Sequence, residues 1–112
     1  MKYILAVFLL FIIIPLYAKS FTEVTKISGL TTNGAYVRVV LENMLEAEGC
    51  KDQNYYYLDM ATEQGKIMLQ FLLEAHINNK AVSIQIDGCK EIYDREYPIV
   101  NHVYICDTEF CN

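Results

Sequence analysis

The sequence predicts a mainly β domain carrying a single helix, on three observations. Runs such as Val82, Ile84 and Ile86 set against Ser83, Gln85 and Asp87 have the two-residue period of a half-buried strand. One longer stretch, from about Glu63 to Ile77, has the helical period instead. Four cysteines in 112 residues, behind a leader-like start, offer the cross-links that a small core needs.

The elements follow in chain order. Lys2 gives a positive start, Ile4 to Ile14 form an unbroken apolar run, Pro15 breaks it, and Leu16-Tyr17-Ala18 places a small residue at the cleavage position. Residues 1–18 therefore read as a signal peptide. The apolar run is shorter than the roughly 20 residues a spanning helix needs, and no later segment is a better candidate. Residues 19–112 are left as one domain with a modest core. Phe21 to Ser28 reads as a weak first strand, and Gly29 to Gly34 as a turn from its Gly, Thr and Asn content. In Ala35 to Leu41, Val37, Val39 and Leu41 share one side with Ala35, opposite Tyr36, Arg38 and Val40. Asn43 to Asp52 reads as a loop or a short turn of helix, and Tyr55-Tyr56-Tyr57-Leu58 as a third strand, β by composition.

Thr62 or Asp59 is the expected N-cap of the helix, with Glu63 in the first turn where negative charge suits the dipole. Ile67, Met68, Phe71, Leu72 and Ala75 share a face, Leu69, Leu73 and Ile77 widen it, and the polar stripe of Lys66, Gln70 and Glu74 is narrow. Such a helix is either deeply set in its own domain or pressed against another chain, as in a homo-oligomer. Asn78-Asn79-Lys80 ends the helix, Val82 to Ile86 is the fourth strand, and Asp87-Gly88 reads as a turn. Lys90 to Tyr97 reads as an exposed charged loop. Ile99 to Cys106 is the fifth strand, with Ile99, Val103 and Ile105 expected inward and Val100, His102 and Tyr104 outward. The order β-β-β-α-β-β, with a helix between the third and fourth strands, is that of an OB-fold-like five-stranded barrel.

All fourteen acidic residues lie beyond the leader and only Lys2 of nine basic ones lies within it, so eight basic residues face fourteen acidic ones, a net charge of −6. No basic cluster is present to neutralise phosphates, which argues against nucleic acid. Export makes four cysteines read as two disulfides. Spacing favours Cys106 with Cys111 across a short C-terminal loop, leaving Cys50 with Cys89. His102, Cys106, Asp107 and Cys111 are metal-ligating types, but oxidised cysteines cannot ligate, so neither a metal nor another cofactor is expected. His76 and His102 stand in no nucleophile motif, and Glu91, Asp94 and Glu96 fall in the charged loop, so no enzyme is expected.

Tyr55-Tyr56-Tyr57-Leu58, the helix end Leu72-Leu73-Glu74-Ala75, the reversal Asn79-Lys80, the strand Val82 to Ile86 and Asp87-Gly88-Cys89 together resemble small exported bacterial OB-fold proteins. Nearest among them are the B subunits of AB5 toxins of the subtilase-cytotoxin and pertussis-like type. The resemblance implies a glycan-binding module able to form a ring. The sugar-contacting serine-rich loop of those subunits has no counterpart, since Glu42-Asn43-Met44-Leu45 occupies its place. The ending Cys106-x4-Cys111-Asn112 is similar to that of a three-finger domain, whose remaining cysteines are lacking.

Tyrosine offers flat apolar area with a hydroxyl at its edge, which suits sugars and protein partners. The candidate binding surface is Tyr55, Tyr56 and Tyr57 with His102 and Tyr104. The expected function is that of a secreted or periplasmic, non-enzymatic binding module for a glycan or for an exported or host protein, with no membrane contact after cleavage. The competing reading is a structural or inhibitory interaction protein without glycan binding, working through the helix face or an open strand edge.

Overall fold

The computed structural model describes residues 20–44, 48–107 and 111; the expected leader over residues 1–18, and residues 108–110 of the expected C-terminal loop, lie outside them. Strands β1 (Ser20–Phe21), β2 (Thr25–Asn33), β3 (Tyr36–Leu41) and β4 (Tyr56–Asp59) precede helix α1 (Glu63–Ile77), and β5 (Ala81–Ile92) and β6 (Arg95–Ile105) follow it. β1 is a two-residue addition along β5. The remaining strands keep the expected order. Hydrogen bonding runs β5 to β2, β3, β4 and β6 and returns to β5, so five strands close in a ring. The ring has two narrow joints. β2 meets β5 only at Thr25↔Val82 and Lys26↔Ala81, and β4 meets β6 in parallel at the single pair Tyr57↔Ile99.

Alternation fills the interior. Val37, Val39 and Leu41 of β3, Tyr56 and Leu58 of β4, Val82, Ile84 and Ile86 of β5 and Val100 of β6 form one buried cluster with Ile27, Leu72 and Ala75. α1 packs its Leu72 and Ala75 against this cluster, with Met68 and Leu69 half-buried beside them. Its ends match the expected caps. Thr62 Oγ1 accepts the Gly65 N–H at 3.0 Å, and beyond Ile77 the N–H groups of Asn79 and Lys80 donate to the carbonyls of His76 and Ala75. That pair of reversed bonds is the Schellman ending, with Asn79 at φ 55° in the left-handed region.

Three departures from the sequence reading share one cause, the β-bulge, which inserts a residue and shifts the side-chain phase. β2 runs on through the expected turn to Asn33, because a register irregularity between Ile27 and Gly29 resets its pairing with β3. The chain reverses at Gly34-Ala35 instead, where Gly34 takes φ 63°. Likewise Asp87-Gly88 is no turn: β5 continues to Ile92 past an irregularity between Ile86 and Cys89, and the reversal is at Tyr93 and Asp94 (φ 51° and 66°). The segment read as an exposed loop is thus a hairpin, whose Ile92 and Tyr97 are buried. In β6, Ile86 pairs with Val100 and Gln85 with His102, so Asn101 is the extra residue. Val100 and Val103 consequently both reach the main core, while Ile99 turns outward.

Cys50 is bonded to Cys89 and Cys106 to Cys111. The first bridge ties the loop before β4 to the bulge in β5, and the Asp52 N–H, donating to the Glu96 carbonyl at 2.9 Å, docks the same loop onto β6. No helix among the described residues is long and apolar enough to cross a membrane.

Candidate functional site

The three consecutive tyrosines do not form one surface. Strand alternation sends Tyr56 into the main core, where it is 0% exposed, so it offers no ring to a ligand. Tyr57 and Tyr55 lie on the outer face with Tyr36 and Tyr97. Tyr57 and Tyr97 are the buried centre, their rings 4.5 Å apart, and Tyr55 and Tyr36 meet Tyr57 edge-on at 6.3 and 5.9 Å. Such edge-on and tilted contacts match the ring quadrupoles. Burial, with the neighbouring Tyr57, pushes the Tyr97 phenol above its usual 10.0.

Two cations border this tyrosine face. The Arg38 guanidinium lies 5.0 Å from the Tyr55 ring centre and its Nε donates to Thr31 Oγ1 at 2.9 Å. Lys90 Nζ stands 5.4 Å over Tyr36 and 3.5 Å from Asp59 Oδ2. The Tyr36 phenol, and after it the Asp59 carboxylate, hold the Lys90 ammonium above its usual 10.5. At the edge of the face the two hairpin ends meet, since a Cβ on Gly34 would collide with the Tyr93 hydroxyl. Tyr93 itself is 67% exposed.

A pocket of about 490 Å³ opens between the start of α1 and β6. Asp59, Thr62, Gln64, Asn101 and His102 supply its polar groups, and Met68, Ile99 and Val100 its apolar wall. Its position follows from the topology. β4 ends at Asp59 just beyond its one pair with β6, so β6 runs on without β4 beside it. Ile99 joins the pocket to the tyrosine face, and Asp59 joins it to Lys90.

His102 and Tyr104 stack on the far side, ring centres 6.1 Å apart and planes 25° from parallel, with Phe21 5.9 Å from Tyr104. Gln85 Oε1 organises this side, since Asn101 Nδ2 donates to it at 2.7 Å and His102 Nδ1 lies 2.8 Å away. The structure therefore separates Tyr55 and Tyr57 from His102 and Tyr104, and the pocket lies between the two groups. Asp59, Thr62, Gln64 and Asn101 were not anticipated as site residues. Asp59 and Thr62 read as candidate helix caps, and the Asn101 bulge has no sequence mark of its own.

Beside the pocket, a shallower groove continues along α1 and β6, lined by Ile67, Met68, Phe71, His102 and Val103. Ile67 and Phe71 are about half exposed, at 53% and 48%. Among the described residues no group of three or more His, Cys, Asp or Glu is placed to hold a metal ion. A scan against protein-family models and searches of curated proteins and solved structures gave no match to this chain.

Proposed function

We propose that this protein is an exported, non-enzymatic binding module that recognises glycans on the surface running from Tyr55 across the pocket to Tyr104. The observation that carries the reading is the pocket itself: a carboxylate, a hydroxyl, two carboxamides and an imidazole converge on an apolar wall between two aromatic groups. Sugars combine hydroxyls that both donate and accept with apolar C–H faces, so this mixture suits them. The ring of five strands with a helix between β4 and β5 supports an OB-like fold, an architecture that binds oligosaccharides on comparable faces. Two disulfides and the leader-like N-terminus support secretion or a periplasmic location.

A glycan array probed with the mature protein tests this reading. Binding should fall about tenfold or more when Tyr55 or His102 is replaced by alanine, the loss expected of a stacking or hydrogen-bonding contact. Binding unchanged in both variants would refute the site, and a folded protein that binds no glycan would refute the function. The likeness to AB5 toxin B subunits predicts in addition a stable pentamer by light scattering, and a monomer would remove it. The half-exposed Ile67 and Phe71 in the α1–β6 groove favour a second reading, in which a protein partner is held without any sugar.

A further inference from the structure

We infer that the pocket takes an uncharged pyranose ring and discriminates against acidic sugars. The inference rests on the glycan-binding reading and goes further by naming the ligand class of its central pocket. Its first ground is charge. Among the described residues neither lysine nor arginine lines the pocket, while Asp59 does. The nearest cation on the adjoining face, Lys90, is engaged by Asp59 at 3.5 Å and by the Tyr36 ring. A sugar carboxylate entering here would meet the Asp59 carboxylate, whose charge Lys90 offsets from an exposed position 3.5 Å away, and would find no cation among the described residues that line the pocket. The excess of acidic residues over the chain adds to it at long range.

The second ground is what the polar groups have left to offer. Thr62 Oγ1 already accepts from the Gly65 N–H, which leaves its hydroxyl hydrogen to donate. Asn101 gives one amide N–H to Gln85, its Nδ2 also lies 3.2 Å from His102 Nδ1, and its carbonyl oxygen is kept as an acceptor. In the tautomer that donates from Nδ1 to Gln85, His102 presents Nε2 as an acceptor as well. Asp59 Oδ1 already accepts the Ala61 N–H and Oδ2 faces Lys90, so the carboxylate offers only its remaining lone pairs as acceptors, and Gln64 both donates and accepts. Acceptors therefore predominate, as a ligand presenting several O–H donors requires and a carboxylate, which has none, does not. The volume of about 490 Å³ lies within the range of small-molecule sites.

Matched pairs of methyl glycosides and their uronides, which differ only in CH₂OH against COO⁻ at C6, test this by calorimetric titration of the mature protein. Glucose, galactose and mannose forms should be included. At least one neutral glycoside should bind, and its uronide about tenfold more weakly. Gln64→Lys, an exposed change in the first turn of α1, should close that gap, and Asn101→Ala should weaken the neutral ligand about tenfold. Melting curves of both variants identify any loss of binding that is only a loss of fold, and Gln64→Lys alone decides the charge argument if Asn101→Ala unfolds. Equal or tighter binding of the uronide, or binding indifferent to a folded Gln64→Lys, overturns the inference. Failure of every glycoside overturns it too; glycan binding on the array would then leave the broader reading standing, whereas an empty array would remove both.

Discussion

At the scale of single residues, Gly65 shows how a local rule is overruled by packing. A glycine inside a helix costs about 1 kcal/mol relative to alanine. Here a Cβ would lie far inside van der Waals contact with the Asp59 carbonyl oxygen, and close to Thr62 Oγ1, so the start of α1 can approach the end of β4 only at a glycine. A backbone carbonyl cannot swing aside as a side chain can, so the clash outweighs the propensity gain. Gly65→Ala should destabilise the domain by about 1 to 3 kcal/mol, the usual range for overpacking, in a urea titration. A stabilised variant would mean that β4 and α1 are not so closely apposed. Because Asp59 and Thr62 also line the pocket, the same substitution should disturb binding.

At the scale of elements, periodicity made α1 legible to its termini, since capping chemistry and apolar spacing agree over Thr62 to Asn79. Strands were legible in kind and not in phase. Alternation placed Val37 and Val39 correctly, but Ser28, Gly88 and Asn101 lie where register shifts, and no local composition announces a bulge that pairing with a distant strand imposes. The site suffered most from this, because Asn101 and His102 follow such a shift. One cross-element contact was likewise invisible in sequence: Lys80, after α1, donates to Asp107, after β6, at 2.8 Å. The Lys80 hydrogen bond and charge lower the Asp107 carboxyl below 3.8, and Asp107 raises the Lys80 ammonium above 10.5. Asp107 thus contributes stability that is present above 3.8 and lost as pH falls through its lower folded-state value. Lys80 contributes what is present below 10.5 and lost as pH rises through its higher one. The difference in melting temperature between wild type and Asp107→Asn should therefore be constant near neutrality and shrink at both extremes, being small throughout for so exposed a pair.

At the scale of the whole molecule, the ring is closed by little hydrogen bonding at its joints, and the Cys50–Cys89 bridge reinforces the half that carries the tyrosine face. It spans 39 residues and joins the loop before β4 to β5. In the chain-entropy model a closure of this length is worth about 3 to 4 kcal/mol. The double variant Cys50→Ser, Cys89→Ser should lose roughly that amount on denaturant unfolding. A loss below about 1 kcal/mol would show that the ring holds without the bridge. The likeness between expected and observed order of elements came from local signals, whereas the pocket arises from a long-range fact, that β4 stops at Asp59 while β6 continues. Binding of a neutral sugar in the pocket is tested most directly by a ¹H–¹⁵N correlation spectrum of the mature protein titrated with the neutral methyl glycosides. Saturable shifts gathered on Thr62, Gln64, Asn101 and His102 are the predicted result. Saturable shifts gathered elsewhere, or none at millimolar glycoside, would contradict it.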